Sequence, residues 1–156
     1  MATEIERKFL VTSLAFKEGS SGEVFRQGYL STHKERTVRV RLQGSMGKLT
    51  IKGLSVGASR SEFEYDIPTA DAEQLLVLCE KPLIEKTRYK VKQGSHTWEI
   101  DEFHGDNAGL IVAEIELSAE DEAFDKPRWV GQEVTDDRRY FNSNLIANPY
   151  KTWASK

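Results

Sequence analysis

Pairs of like-charged residues, two positions apart, recur along this 156-residue chain. The acidic pairs are Glu4 and Glu6, Glu62 and Glu64, Glu99 and Asp101, and Glu114 and Glu116. The basic pairs are Arg39 and Arg41, and Lys86 and Arg88. Converging carboxylates are the ligands that hard divalent cations such as Mg²⁺ or Mn²⁺ prefer, whereas arginine and lysine bind phosphate oxygens. The pattern predicts a site with a metal side and a phosphate side, bridged by a small polyphosphate.

Each charged pair alternates with apolar residues, as the arginines at 39 and 41 do with Val38, Val40 and Leu42. Successive side chains of a β-strand lie on opposite faces, so this period of two predicts strands with one charged and one apolar face. Glycine-rich turns separate the segments, for example at 44–47 and 93–95. Short turns between sequential strands indicate antiparallel hairpins, and about eight strands are predicted.

One clear helix interrupts the strands: it is predicted to begin at Thr69 and to end before Pro82. Its apolar stripe consists of Ala72, Leu75, Leu76 and Cys79. Shorter helices are predicted after Ser118 and at 142–147. The predicted fold class is α+β, mainly β: a closed eight-stranded antiparallel β-barrel with helices packed outside.

Charges on alternate positions also describe an ordinary barrel, in which the apolar face points inward and the charges meet water. Two observations favour the opposite orientation. Solvated surfaces usually intersperse the two signs, whereas here the signs are sorted by strand. Helices packed outside would also cover the apolar face and leave the charged face as the lining. Unpaired buried charges are costly, so such a lumen needs charged partners.

Composition narrows the class of protein further. The chain carries 22 basic and 25 acidic residues, which disfavours a broad nucleic-acid-binding surface. Cys79 is the only cysteine; it is interpreted as a core residue, and a single cysteine fits a reducing compartment. The sequence shows no signal-peptide core, membrane span or linker. We expect one cytoplasmic domain over residues 1–156, either a monomer or a homodimer, that binds neither membranes nor nucleic acid.

The charged motifs, in their order and spacing, resemble the CYTH superfamily of triphosphate tunnel metalloenzymes. The motifs are E-x-E-x-K at 4–8, V-R-V-R at 38–41, T-I-K-G at 50–53, E-F-E-Y at 62–65, K-T-R-Y at 86–89, W-E-I-D at 98–101, A-E-I-E-L at 113–117 and E-V-T-D-D-R-R-Y at 133–140. The resemblance covers almost the whole chain and is strongest to the small stand-alone bacterial inorganic triphosphatases.

The resemblance implies a barrel whose tunnel binds a triphosphate group together with one or two divalent ions, Mg²⁺ or Mn²⁺. The implied metal ligands are Glu4, Glu6, Glu62, Glu64, Asp101, Glu114 and Glu116. The implied phosphate contacts are Lys8, Arg39, Arg41, Lys52, Lys86, Arg88 and Arg139. Arg138 is the alternative to Arg139 as the last of these phosphate contacts. Glu99 lies on the same strand face as Asp101 and could belong to the site.

The implied reaction is metal-dependent hydrolysis of inorganic tripolyphosphate to pyrophosphate and phosphate. Thiamine triphosphatase, adenylate cyclase and a non-catalytic polyphosphate- or nucleotide-binding barrel stay open as alternatives. Lys86 is the candidate general base, because Arg39, Arg41 and Arg88 would crowd it and lower its pKa. Tyr29 is the candidate phenol that orients the lysine or the attacking water.

Overall fold

The computed structural model describes residues 3–153, so residues 1–2 and 154–156 of the predicted domain lie outside the described part. It contains nine strands: β1 Thr3–Val11, β2 Glu23–Ser31, β3 Arg36–Gln43, β4 Met46–Gly53, β5 Ser59–Ile67, β6 Ile84–Gln93, β7 His96–Phe103, β8 Ile111–Glu116 and β9 Val130–Glu133. There is one α-helix, α1, over Thr69–Leu78. Short 3₁₀ turns lie at Ala15–Lys17, Gly105–Asn107, Arg138–Tyr140, Asn142–Leu145 and Tyr150–Thr152.

All strand pairings are antiparallel, in the order β5-β4-β3-β2-β6-β7-β8-β1-β9, and β5 also pairs with β1. That additional pairing closes the barrel: Thr3 lies opposite Ser61, while the other edge of β1 pairs with β8. Strand β9 extends the sheet at the far end of β1, where Phe9 lies opposite Glu133. The predicted closed eight-stranded barrel is therefore confirmed, with β9 as an addition.

Two hairpins of the barrel use the same turn. Gly44 and Gly94 are each followed by a serine and join β3 to β4 and β6 to β7. Both glycines have positive φ, 60° and 63°. A positive φ at the first central residue of a two-residue loop matches the twist of the strands, and glycine reaches it without steric cost.

Helix α1 packs on the outside of the barrel, as predicted. Its buried residues Ala72 and Leu76 lie with Cys79 against Val40 and Leu42 of β3. Cys79 is 5% exposed, which confirms its interpretation as a core residue. The apolar face of this part of the sheet therefore points outward, to the helix.

The two shorter predicted helices differ from the structure. Residues 118–122 form turns, and the segment predicted at 142–147 forms only the 3₁₀ turn Asn142–Leu145. The segment after Ser118 is too short to be stable as an isolated helix, and Glu122 accepts from the backbone N–H and the hydroxyl of Ser118 instead. Pro149 follows the second segment closely and restricts its continuation as a helix. Within residues 3–153, no helix has both the length and the apolar character needed to cross a membrane.

Aromatic residues cover the apolar outer face of β1, β7 and β8. Trp98 is 0% exposed and makes edge-to-face contacts with Phe9, Phe124 and Trp129 at centroid distances of 5.5, 5.8 and 5.7 Å. The same cluster includes Ile100 and Ile115, on the faces of β7 and β8 opposite to the charges. This packing holds the charged faces inward, as the sorting of signs predicted.

Removing the centre of this aromatic cluster should strongly destabilise the fold. We expect Trp98→Ala to lower the free energy of unfolding by about 3–5 kcal/mol, because it leaves a large cavity. Urea unfolding followed by circular dichroism measures the change. Phe63→Ala is the matched control, since Phe63 is 45% exposed on the same barrel and should lose much less stability. Equal losses in the two variants would contradict this description of the core.

Candidate active site

The barrel encloses a charged lumen of about 350 Å³. The acidic side chains that line it are Glu4, Glu6, Glu62, Glu64, Glu99, Glu114 and Glu116. The basic ones are Lys8, Arg39, Arg41, Lys48, Lys52, Arg60, Lys86, Arg88 and Lys90. Nine basic and seven acidic groups therefore share one cavity. Such a lumen suits an anion that carries several charges, together with a cation that offsets part of them.

Lys8 and Lys52 lie among the carboxylates. Lys8 Nζ is 2.5 Å from Glu6 Oε1 and 3.1 Å from Glu114 Oε2. Lys52 Nζ is 2.9 Å from Glu4 Oε1. Burial raises the pKa of the Glu6 carboxyl, but Lys8 and Lys52 outweigh that effect and the pKa lies below its usual value. These two predicted phosphate contacts therefore neutralise the acidic side in the observed arrangement.

The acidic side of the lumen is the candidate site for a divalent metal ion. Oxygen ligands suited to a hard cation are offered by Glu4, Glu6, Glu62, Glu64, Glu114 and Glu116. Burial and the negative charges of Glu4, Glu6 and Glu99 raise the pKa of Glu116, a sign of excess negative charge at that place. Among residues 3–153, no three acidic, histidine or cysteine side chains are arranged around a single metal position. These glutamates fit a divalent cation in their chemistry and their number. In the observed arrangement the ammonium groups of Lys8 and Lys52 lie between them.

Arg39, Arg41 and Arg88 lie in the same lumen, where Arg39 Nη2 is 3.7 Å from Glu64 Oε2 and Arg88 Nη2 is 3.6 Å from Glu114 Oε1. Arg39 donates from Nη2 to Thr50 Oγ1 at 3.1 Å, while its buried Nε has no hydrogen-bond partner in the described structure. Burial and the neighbouring charges of Arg39 and Arg88 lower the pKa of Arg41 to about 9. Crowded cations with unused donors favour binding of an anion, since its oxygens would relieve both the charge repulsion and the missing hydrogen bond.

Phe25 holds two of these arginines in place. The Cζ atoms of Arg41 and Arg88 lie 4.8 and 4.9 Å from the centroid of its ring. The phenyl ring is 1% exposed, so the guanidinium groups cover it within the lumen. A cation over an aromatic face is stabilised by about 0.5–2 kcal/mol without losing its charge.

Asp101 lies behind the basic residues rather than among the metal-side glutamates. Its carboxylate is 1% exposed and accepts from Arg88 Nε and Nη2 at 2.8 and 2.9 Å. Lys86 Nζ is also 2.8 Å from it. Burial opposes its ionisation, but Arg88 and Lys86 lower the pKa to about 2. Both oxygens are therefore engaged, and Glu99, two residues earlier, lines the lumen in its place.

Lys86 is the most deeply buried charged group of the lumen, at 1% exposure. Besides Asp101, its Nζ contacts Asn142 Oδ1 at 2.9 Å. The pKa is lowered to about 7, first by burial and then by Arg88 and Arg41, against the opposing effect of Asp101. The direction agrees with the prediction, but burial, not crowding by arginines, is the larger cause.

Tyr29 also lines the lumen and is 5% exposed. Among the described residues, the polar contacts of Lys86 are with Asn142 and Asp101, and none is with Tyr29. The phenol is therefore in the predicted cavity, while the groups that orient the lysine are different ones.

Arg139 lies outside the lumen. Its guanidinium is 2.7 Å from Asp137 Oδ2 and stacks over Trp153 at 5.0 Å. Arg138 is exposed and lies over Phe141, whose ring lines the lumen. Neither arginine is among the lining residues, so Arg139 differs from the predicted phosphate contact. Its charge is already paired with a neighbour in the same turn.

Sequence reasoning missed several lumen residues. Arg60, Lys48 and Lys90 share the parity of the recognised charges on their strands and could have been found by that signal. Phe25 shares the face of Tyr29 on β2. Asn142 lies on a 3₁₀ turn at the lumen, where no strand periodicity indicates direction.

A closed antiparallel barrel with a tunnel of sorted charges defines a class of polyanion-binding tunnel proteins. The chain belongs to the CYTH family: the CYTH domain matches residues 2–145. The family resemblance of the charged motifs is thereby confirmed.

Two relatives and one solved structure extend this comparison. An inorganic triphosphatase of Acetivibrio thermocellus is 53% identical over 154 residues, covering 98% of this chain and 99% of that protein. An inorganic triphosphatase of Nitrosomonas europaea is 41% identical, over 92% of this chain and 96% of that protein. A crystal structure of an inorganic triphosphatase superposes with a TM-score of 0.65 at 35% identity, covering 91% of this chain and 96% of the other.

Proposed function

We propose that this protein is an inorganic triphosphatase that hydrolyses tripolyphosphate to pyrophosphate and phosphate within the barrel. The observation that carries this proposal is the lumen itself, in which arginines, one of them with an unpaired buried Nε, share a cavity with a cluster of glutamates. The activity named for the two bacterial relatives supports the same reaction.

The arginines would stabilise the transferring phosphoryl group. Hydrolysis of a phosphoanhydride spreads negative charge over the equatorial oxygens and the leaving oxygen, and preorganised cations lower that barrier. Arg41 and Arg88 both lie over the ring of Phe25, and Arg39 has an unpaired Nε. These positions are fixed before substrate arrives, so little reorganisation accompanies the reaction.

We further propose that the metal is Mg²⁺ or Mn²⁺, as one or two ions. Glu4, Glu6, Glu62, Glu64, Glu114 and Glu116 are the residues that would hold it. A bound divalent ion supplies charge neutralisation to phosphate oxygens and acidifies water. Lys8 and Lys52 would turn from these carboxylates to the phosphate oxygens, which gives both lysines the predicted role.

Lys86 is the proposed general base. A neutral lysine amine has two protons, and Asn142 and Asp101 are in place to accept both. Its lone pair would then be directed away from these partners and could accept a proton from the attacking water. Tyr29 is proposed to orient that water from the same cavity.

The aromatic residues of the lumen favour an inorganic substrate. Arg41 and Arg88 cover the ring of Phe25. Lys8, Arg60 and Arg138 lie within 5.4 to 5.8 Å of the centroid of Phe141. These faces carry cations in place of an adenine or thiamine ring, so the lumen offers phosphate contacts rather than a stacking platform.

Phosphate release from several substrates tests this proposal. Tripolyphosphate, ATP, thiamine triphosphate and pyrophosphate are compared, each with Mg²⁺, Mn²⁺, Ca²⁺ or a chelator. We expect release from tripolyphosphate with Mg²⁺ or Mn²⁺ and none with chelator. Release from ATP or thiamine triphosphate alone would contradict the inorganic substrate, and no release under any condition would contradict the enzyme.

We also propose the setting in which the reaction occurs. The chain acts as one tunnel domain over residues 1–156 in the cytoplasm, as a monomer or homodimer, on a small molecule rather than on nucleic acid. The match of one CYTH domain to residues 2–145 supports a single domain within the chain.

A further inference from the structure

Gln27 lies between the two most buried basic groups of the lumen. It is 0% exposed on β2, where its Cα is paired with Arg41 of β3 and Ile84 of β6. Its Oε1 accepts from Arg41 Nε at 3.2 Å. Its Nε2 donates to Asn142 Oδ1 at 2.9 Å, the same oxygen that accepts from Lys86 Nζ. One chain of hydrogen bonds therefore joins Arg41 to Lys86.

The oxygen and the nitrogen of the Gln27 amide have different hydrogen-bonding partners. Arg41 can only donate, so Gln27 must present its oxygen to Arg41 and its nitrogen to Asn142. That orientation makes Asn142 Oδ1 a double acceptor and directs it at Lys86. A buried amide that lost either partner would carry a large desolvation cost, which fixes the direction of the whole chain.

Gln27 also differs from the group that holds the neighbouring arginine. Arg88 is held by the carboxylate of Asp101, which offsets its charge. The side chain of Gln27 is neutral, and the remaining guanidinium nitrogens of Arg41 make no hydrogen bond or ion pair with the described residues. Arg41 is thereby oriented while its full charge stays available to an anion.

We propose that Gln27 is a positioning residue of the triphosphatase reaction. It orients the guanidinium of Arg41 toward phosphate and, through Asn142, orients the amine of Lys86, without adding charge to the lumen. The inference rests on the proposed function. Gln27 thus acts on substrate affinity through Arg41 and on turnover through Asn142, whereas loss of Asn142 leaves the bond from Arg41 to Gln27 in place and acts on turnover through Lys86.

The test measures kcat and KM for tripolyphosphate in Gln27→Glu and Asn142→Ala, with thermal unfolding of each variant. Gln27→Glu keeps the shape and the oxygen facing Arg41, but it adds a negative charge and removes the Nε2 donor to Asn142. We expect its KM to rise by about tenfold or more, because the added carboxylate compensates one charged phosphate contact. Its kcat should fall as well, because Asn142 Oδ1 is no longer held toward Lys86. Asn142→Ala should lower kcat by about tenfold or more and change KM less than about threefold, because it removes one acceptor of Lys86 while Gln27 Oε1 still accepts from Arg41.

Gln74→Glu is the charge-matched comparison. Gln74 is exposed on α1, outside the barrel. An added charge there should change KM less than about threefold, because solvent screens it. A tenfold effect in Gln74→Glu as well would show a general response to charge and overturn the role of Gln27.

The remaining outcomes are also decisive. Folded Gln27→Glu and Asn142→Ala variants with kcat and KM within about twofold of the unmodified protein would overturn the inference. If Gln27→Glu does not fold, Asn142→Ala decides alone, and an unchanged kcat overturns it. An unmodified protein that does not hydrolyse tripolyphosphate would overturn the proposed function as well, a result distinct from active enzyme with unaffected variants.

Discussion

Lys86→Met should reduce kcat for tripolyphosphate by about 100- to 10,000-fold, the range expected for loss of a general base. The substitution keeps the length of the side chain and removes the amine that contacts Asp101 and Asn142. Lys92→Met is the control, since Lys92 is exposed on the same strand. Steady-state kinetics separate the roles: a raised KM with an unchanged kcat would make Lys86 a phosphate contact only.

The same lysine predicts the pH dependence of the reaction. Burial and the charges of Arg88 and Arg41 lower its pKa to about 7, against Asp101. Below that pH the amine is protonated and cannot accept a proton, so kcat/KM should rise about tenfold per pH unit and level off above 7. In the Lys86→Met variant, this rise of kcat/KM with pH should be absent, whereas any pH dependence caused by ionisation of the substrate should persist. Identical profile shapes in the two proteins would contradict the assignment.

The second large effect is expected on the metal side. Glu114→Gln together with Glu116→Gln should lower kcat/KM with Mg²⁺ by at least about 100-fold, because two charged oxygen ligands are lost. Excess metal should restore part of the activity if the loss lies in metal affinity. Activity is measured as a function of metal concentration in the double variant.

The control for this double variant replaces two exposed acids outside the lumen, Glu73→Gln and Glu85→Gln. It changes net charge equally and should leave the metal dependence unchanged. If the lumen variant requires no more metal than this control and turns over at the same rate, Glu114 and Glu116 are not metal ligands. Retained folding is checked by circular dichroism in both.

The sequence predicted which faces point inward, since a period of two and the sorting of signs follow from strand geometry alone. It did not predict which of the inward-facing side chains line the lumen and which lie behind other side chains. Glu99 and Asp101 share one face of β7, yet Asp101 lies behind Arg88 and Lys86 while Glu99 lines the lumen. Only the register of β6 against β7, which pairs Arg88 with Asp101, separates the two.

Other differences have equally local causes. Strand β9 is four residues long and contains Gly131, too little for an alternating pattern. Gln27 carries no charge, so a search based on charged pairs passes over it although it contacts Arg41. Arg139 belongs to a matching motif, but a 3₁₀ turn and Asp137 hold it away from the lumen. The missing information is a contact between strands for Gln27, and a short strand or a local turn for β9 and Arg139.

Anomalous diffraction from crystals grown with Mn²⁺ and a non-hydrolysable triphosphate analogue tests the central claim most directly. It locates the metal and the anion independently of activity. The proposed function predicts a Mn²⁺ peak inside the barrel, liganded by glutamates such as Glu6 and Glu114, with phosphate density against Arg39, Arg41 and Arg88. A metal or analogue bound on the outer surface, with the lumen free of both, would contradict it.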